Sequence, residues 1–302
     1  MSSEKPALTI FAIPKNFRGH IGTIQRNAIT SWTRLDPRPE ILLFGDEEGT
    51  AEIAAELGIR HISSVTRNEF HTPLLDNLFQ QAQQAASAPL LAYVNADIVL
   101  AGDFMAAIAR VRALHEKFLA VGRRWDLDWD EPLNFTEPGW NERIRGAARQ
   151  ANVQRPGNYI DYFVFPPGVY ENILPLAIGR FSWDNYLLWR AMSRGAVLVD
   201  VSPVVMAVHQ NHDYAHAPTV KDVRQSPEVK RNRGMVGPWW HMYTIEDSTE
   251  ILHADGIHRS HRHPWLMAKR LWSHPLTIFQ LPRLVVRRLI RPGVRAEKSV
   301  RE

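Results

Sequence analysis

Short apolar runs alternate along this chain with segments whose apolar residues return every three or four positions. Leu8 to Ile13 is a continuous apolar run, and Ile21, Ile24, Ala28, Ile29 and Trp32 then mark one face of a helix over about 21–32. Ile41 to Phe44 predicts a second strand, closed by Gly45-Asp46. Thr50 opens a helix over Ala51 to Leu57 that Gly58 ends, and Arg60 to Ile62 is a short third strand. Thr72-Pro73 starts the next helix, with Leu74, Leu75, Leu78, Phe79, Ala82 and Ala85 on its face. Leu90 to Leu100 is apolar almost throughout and reads as one central strand buried on both faces. A helix from Asp103 to about Lys117 and a strand over Phe118 to Gly122 follow. Strand and helix alternate throughout, which predicts a mostly parallel sheet wrapped by helices with right-handed crossovers.

The alternation breaks at Arg123. Residues 123–158 are rich in Trp, Asp, Glu, Pro, Gly and Arg and read as a functional loop region with one short helix near Asn141 to Gln150. Ile160 to Phe165 predicts another strand, Val169 to Leu176 a short helix, and Ser182 the cap of a helix that ends at Gly195. Val197 to Val208 is a last strand region, interrupted by Pro203. The change of composition near 216 divides the chain into a body over 1–216 and an extension over 217–302.

Composition narrows the picture in a few places. With 45% hydrophobic and 23% charged residues, the 302-residue chain is ordinary for a globular protein. It has no cysteine, which excludes disulfides and thiolate metal sites and fits a reducing compartment. No leader pattern is read at the polar start, and no uncharged run approaches the ~20 residues of a membrane span. The net charge of +4 is unevenly spread: Arg259 to Glu302 holds eleven Lys/Arg against two Asp/Glu. Arg283, Arg287 and Arg291 recur there with Val285, Val286, Leu289 and Ile290 between them, a pattern suited to an anionic membrane surface or to a packed helix with a solvated face.

Several groups carry chemistry. Asn95 and Asp97 stand at i and i+2 in the central strand, so an extended chain would point both to one side. The carboxyl end of such a strand is where an open α/β sheet places its ligand crevice. His209 and His212 follow another buried strand. One or two such oxygens plus an imidazole suit Mn²⁺ or Mg²⁺, and the same residues also suit a hydrogen-bonded strand exit. Asp184 lies in the first turn of a helix, as a general base or as an ordinary helix-start acid. Arg123-Arg124-Trp125-Asp126-Leu127-Asp128-Trp129-Asp130 offers forked donors for phosphate, an aromatic face for sugar and acids for hydroxyls, or a salt-bridged surface loop. Asp46 ends the second strand, where a carboxylate receives a ribose or base. Pro14 to Gly19 has one glycine, not three, which disfavours a nicotinamide-binding enzyme, and no Walker-type loop occurs. His253, His258, His261 and His263 match no metal spacing and read as a solvated loop.

The order of these pieces resembles GT-A-type glycosyltransferases, the nucleotide-diphospho-sugar transferases. The resemblance covers roughly residues 8–216. It rests on Leu74-Leu75-Asp76-Asn77-Leu78-Phe79 before Tyr93-Val94-Asn95-Ala96-Asp97-Ile98, on Val121-Gly122-Arg123-Arg124-Trp125-Asp126, and on Val208-His209-Gln210-Asn211-His212-Asp213-Tyr214. These segments resemble bacterial members that act on surface polysaccharides. The resemblance implies a GT-A-like Rossmann-type α/β/α sandwich with a mostly parallel central sheet, the catalytic domain over 1–216, and a C-terminal helical, basic extension over 217–302. It implies transfer from a nucleotide-diphospho-sugar, UDP-sugar favoured, to a saccharide or lipid-linked saccharide hydroxyl with inversion, in cell-surface polysaccharide synthesis. The metal would be Mn²⁺ or Mg²⁺, held by Asp97 with His209 and its rival His212. Pro14, Asp46, Asn95, Arg123, Trp125 and Asp126 would bind the donor, and Asp184 would be the base. Asn95 departs from the acid that opens the family's D-x-D motif. The implied location is cytoplasmic, with the basic tail at the inner membrane face and no nucleic-acid partner. The competing readings are a sugar-nucleotide nucleotidyltransferase, which needs a glycine-rich activating loop, and a non-catalytic protein binding anionic polymer or lipid.

Overall fold

A computed structural model describes residues 6–212, 226–261, 266 and 268. Two compact units divide at Ser260, and the described residues lie almost entirely in the first. The amphipathic basic segment around Arg283 to Arg291 lies outside them, as do Asp213, Tyr214 and His263.

The first unit is built on a nine-stranded sheet. Its strands are β1 (Thr9–Ala12), β2 (Glu40–Phe44), β3 (Arg60–Ile62), β4 (Leu91–Val94), β6 (Phe118–Val121), β8 (Tyr162–Phe165), β9 (Val197–Asp200), β11 (Glu250–Leu252) and β12 (Ile257–Arg259). Their order is β12-β11-β9-β6-β8-β4-β1-β2-β3. Pairing is parallel from β4 through β1 and β2 to β3, and again from β6 through β9 to β11. β8 runs antiparallel between the two halves, and β12 is antiparallel at the edge. β5 (Ile98–Val99), β7 (Arg124–Leu127) and β10 (Ala207–Gln210) form a separate small sheet in the order β5-β10-β7.

Strands buried on both faces explain the continuous apolar runs. In β1, Ile10 and Ala12 face a core shared with Ile29 and Trp32 of α1 (Gly19–Thr33), Ile53 of α2 (Thr50–Leu57) and Phe104 and Ile108 of α4 (Asp103–Leu114). Phe11, between them, faces the opposite core, with Leu78 and Phe79 of α3 (Leu75–Ala85) and Leu187 and Leu188 of α6 (Trp183–Ser193). Phe11 meets Phe44, Phe79, Tyr93 and Phe165 edge-on, with centroids 5.0–6.4 Å apart. The result is a three-layer α/β/α arrangement with a mostly parallel sheet. A third, smaller core fills the space between the small sheet and α5 (Trp140–Ala151), around Val99, Leu127, Ile144 and Val208.

Two sequence expectations are corrected. Leu90 to Leu100 is not one strand: β4 stops at Val94, Ile98 N–H donates to the Asn95 carbonyl at 3.1 Å, and β5 leaves for the other sheet. Asn95 and Asp97 therefore occupy a turn between sheets rather than one side of an extended chain. Val169 to Leu176 forms turns and no helix, because Pro175 and Asn172, the latter at φ 50°, interrupt it. The compact unit runs past residue 216. Residues beyond that point supply α7 (Pro227–Val236) and the strands β11 and β12 that complete the sheet.

The turn is anchored from behind. The Trp32 indole N–H donates to the Ile98 carbonyl at 2.9 Å, and Leu100 N–H donates to Ser31 Oγ at 3.1 Å, both fully buried. Trp32→Phe keeps most of the apolar contact but leaves the Ile98 carbonyl unpaired in the core. It should cost about 1–3 kcal/mol in urea unfolding. A loss within measurement error would show that this bond does not hold the turn.

Candidate metal and donor site

All parallel strands end at the same edge of the sheet, where exits after different strands meet. The β4–β5 turn brings Asp97 there. Residue His209 pairs across to Ile98 in β5 and to Asp126 in β7, because β10 lies between those two strands. This register sets His209 beside Asp97 on one side and Asp126 on the other. α1 locks β10 in place through polar side chains: Asn27 donates to Gln210 Oε1 at 2.8 Å, and Gln210 Nε2 donates to the Ile24 carbonyl at 2.9 Å.

Asp97, His209 and His212 form a group whose ligand atoms all lie within 4.8 Å of one another, and among the described residues it is the one such group. His212 Nε2 is 3.2 Å from Asp97 Oδ2, and His209 Nε2 is 3.7 Å from the same oxygen. Asp97 Oδ1 is buried and takes no hydrogen bond among the described residues. A buried carboxylate oxygen without a donor is costly unless a cation completes it. The set of one carboxylate oxygen and two imidazoles is a fair match to Mn²⁺. The residues present therefore fit a divalent cation. Burial pushes the Asp97 carboxyl up, but the His212 hydrogen bond and the His209 and Lys15 charges prevail and hold it well below the usual carboxylate range.

His209 is supported from below. Its Nδ1 lies 3.4 Å from Asp126 Oδ1, and the side chain is 8% exposed. A carboxylate behind a ligating imidazole fixes the ring orientation and sharpens its basicity. Burial lowers the His209 pKa, yet the Asp126 and Asp97 carboxylates outweigh it and leave it above its ordinary value. Asp126 accepts in turn from Arg124 Nε at 2.8 Å and pairs with Arg155. Burial opposes its ionisation, but His209, Arg124 and Arg155 together bring it down to about 2. Tyr159 lies against both guanidinium groups, 5.2 Å from Arg124 and 5.3 Å from Arg155.

The β7 alternation separates residues that looked alike in sequence. Arg124 and Asp126 face the site, whereas Trp125 packs on the third core. Asp126 is 2% exposed, and its oxygens are occupied by His209, Arg124 and Arg155. Arg123 is half-buried, with its backbone N–H on Ser202 Oγ at 2.7 Å and its guanidinium 3.3 Å from Glu246.

Other candidates sit along the same edge. Pro14 is buried at the exit of β1; beside it, Lys15 N–H donates to Gln25 Oε1 at 2.6 Å and the Lys15 carbonyl accepts from Gln25 Nε2 at 2.8 Å. Lys15 carries charge to Asp97. Asp46, after β2, is exposed and paired with Arg67 at 2.8 Å. The two residues line an open polar cleft of about 550 Å³ with Ser64, Thr66, Asn77 and Gln81. His258 lies in β12 rather than in a loop, and it pairs with Asp255 of the β11–β12 turn at 3.0 Å, both side chains exposed.

Asp184 opens α6. Ser182, which precedes it at the N-cap, makes no side-chain cap bond and adopts φ 87°. A left-handed serine is strained, and such strain persists where surrounding packing imposes it. Here Trp183 is clamped by Tyr93 and Phe163, with centroids 5.4 and 5.6 Å away. The clamp places the next residue at the β4–β8 edge. Burial pushes the Asp184 carboxyl up to about 7, against a hydrogen bond from Asn185 N–H, with the Asp161 charge adding to the rise.

Asp161 was not singled out from the sequence. It precedes β8, and because β8 is antiparallel its start, not its end, reaches this edge. The Asp161 carbonyl accepts from Asn95 N–H at 2.9 Å, and its carboxylate accepts from Asn95 Nδ2 at 2.7 Å. Both its oxygens also lie 3.0 Å from Arg124 Nη1. Gln25, Asn27 and Lys15 were likewise missed. A lone acid opening an apolar strand, and amides on the apolar side of a helix, were the available signals.

No protein-family model matches the chain, and no curated protein matches it. Solved structures do. S. aureus TarS 1-349 in complex with UDP-GlcNAc is 12% identical over 70% of this chain and 61% of that one, with a TM-score of 0.47. GalNAc-T7 with UDP, GalNAc and Mn²⁺ is 18% identical over 78% of this chain and 49% of that one, at 0.48. Glucosyl-3-phosphoglycerate synthase from Mycobacterium tuberculosis, in complex with Mn²⁺, UDP and glucosyl-3-phosphoglycerate, is 14% identical over 70% and 74%, at 0.43. The chain thus spans less than two thirds of the length of the first two. With every score below 0.5, the functional assignment rests on the chain's own residues.

Proposed function

We propose that this chain is a metal-dependent glycosyltransferase that moves a sugar from a nucleotide-diphospho-sugar, with UDP-sugars favoured, to a saccharide hydroxyl with inversion. The observation that carries the reading is the Asp97–His209–His212 group at the sheet edge, together with a buried Asp97 Oδ1 that takes no hydrogen bond among the described residues. A divalent cation held by these residues would neutralise the departing diphosphate. Lys15 adds a positive charge on the same side. Arg123 is already paired with Glu246, so Lys15 is the better-placed cation. The cleft at Asp46 and Arg67 suits the base and ribose. Asp184, recessed and poised near neutrality, takes the proton of the acceptor hydroxyl as that oxygen attacks the anomeric carbon and the bond to the diphosphate breaks. A single displacement inverts the anomeric centre.

A role in surface-polysaccharide synthesis, with the basic segment at a membrane face, rests on the sequence pattern alone. No helix among the described residues is long and apolar enough to cross a membrane. The nucleotidyltransferase reading is disfavoured by the Pro14 to Gly19 loop, which has one glycine to cradle phosphates.

Thermal unfolding with UDP-, GDP- and dTDP-sugars, each with Mn²⁺ or with EDTA, tests the reading. At a hundred times its Kd, the right donor stabilises the fold by about 2.7 kcal/mol. That gain should appear with Mn²⁺ and vanish with EDTA. No stabilisation by any sugar nucleotide would overturn the transferase assignment.

A further inference from the structure

Position 95 holds an amide where a second acid would be expected, and the structure shows what surrounds it. Its Nδ2 donates to Asp161 Oδ1 at 2.7 Å. A carboxylate only accepts, so the orientation of the Asn95 amide is fixed: nitrogen to Asp161, oxygen away from it. The oxygen takes no hydrogen bond among the described residues. Asp161 is 5% exposed and is held by Arg124 through both oxygens at 3.0 Å. Arg124 continues to Asp126 at 2.8 Å, and Asp126 to His209. A chain of largely buried polar contacts, Asn95–Asp161–Arg124–Asp126–His209, thus joins the metal-capable group at His209 and ends at Asn95, two residues from Asp97.

We propose that Asp161 is a positioning residue that takes over the charge missing at Asn95, turning the Asn95 amide oxygen toward the donor site and, through Arg124 and Asp126, steadying His209. The proposal rests on the transferase reading for the purpose of the site, but the hydrogen-bond chain itself belongs to the metal-free protein. Position 95 is an amide because its neighbour is an acid. A carboxylate at 95 would meet the Asp161 carboxylate at hydrogen-bond distance with no donor between them. Restoring an acid by Asn95→Asp is therefore a loss, not a repair, unless Asp161 changes with it. The Asp161 charge also reaches Asp184. One buried acid thus bears on the donor side and on the base.

The test is a double-mutant cycle with Asn95→Asp, Asp161→Asn and the combined variant, read by thermal midpoint without metal and by Mn²⁺ affinity from titration. Each single change should lower the midpoint by about 4 °C or more. Asp161→Asn should weaken Mn²⁺ binding by about tenfold or more, as loss of outer support for a ligand does. Asn95→Asp should not tighten it. The combined variant restores a donor facing an acceptor, in reverse, and should recover most of the midpoint lost in either single. Additive midpoint losses would overturn the proposal, as would Asn95→Asp matching the wild-type midpoint while binding Mn²⁺ more tightly. A wild-type protein that takes neither Mn²⁺ nor nucleotide would instead sink the transferase reading, and the midpoint cycle alone would then decide the role of Asp161.

Discussion

Asp184→Asn should leave donor affinity within about threefold of wild type while slowing transfer by about 10²–10⁴-fold, the usual worth of a general base. The amide is nearly the same size as the acid and retains an oxygen for Asn185 N–H, which Asp184 Oδ1 accepts at 2.9 Å. The wild-type kcat/KM should rise with pH through about 7 and level off above it, because the carboxyl pushed to about 7 acts only when ionised. Stability should move the other way. A carboxyl raised from 3.8 to about 7 keeps its proton longer in the native state than in the unfolded chain. Its contribution is therefore lost as pH rises from the unfolded value through about 7, by at most about 4 kcal/mol. Asp184→Asn escapes that loss, so the inactive variant should melt higher than wild type at pH 8. Full activity in the variant, or an acid limb that Asp184→Asn leaves in place, would reject the base assignment. A variant that melts lower at pH 8 would reject the burial argument.

Transfer should stop in EDTA and return with Mn²⁺, and Asp97→Asn should weaken Mn²⁺ binding by more than about 100-fold, since it removes the only charged oxygen in the ligand set. His209→Ala and His212→Ala rank the imidazoles. His209 has Asp126 behind its Nδ1, and its loss should cost about tenfold or more in affinity. Asp126→Asn should cost about 10–100-fold without removing a ligand. Mn²⁺ titration of each variant, with urea unfolding as the control for folding, separates loss of a ligand from loss of structure. Transfer undiminished by EDTA would remove the metal from the mechanism, and Asp97→Asn binding Mn²⁺ as wild type does would remove Asp97 from the site.

Donor-site residues in the loop after β6 divide by strand geometry. Arg123, Arg124, Trp125 and Asp126 are adjacent and equally suggestive as letters. Only the pairing of β7 with β10 turns Arg124 and Asp126 toward His209 and Trp125 into the third core. Asp126 is thereby buried against His209. The Leu90 to Leu100 run shows the same limit. Its apolarity was read correctly as burial, since Leu91 to Val94 and Ile98 to Leu100 are buried. Yet burial is compatible with one long strand or with two short ones in different sheets, and the turn at Asn95 to Asp97 was not legible.

What the sequence alone determined is what depends on local chemistry. Apolar periodicity set the strand and helix order through the first half of the chain, because each element must bury its own apolar face. That Asp97 and the histidines after Val208 could come together was also legible, because both follow buried strands. Tertiary structure decided what depends on partners far along the chain. The antiparallel course of β8 brings its first residues to the edge where the parallel strands end, and so delivers Asp161 to Asn95. The position of β10 between β5 and β7 puts His209 between Asp97 and Asp126. Neither strand direction nor strand order is written in the residues at those positions. Both follow from how the whole chain closes its two cores, and that is why the residue opposite Asn95 had to be found in the fold.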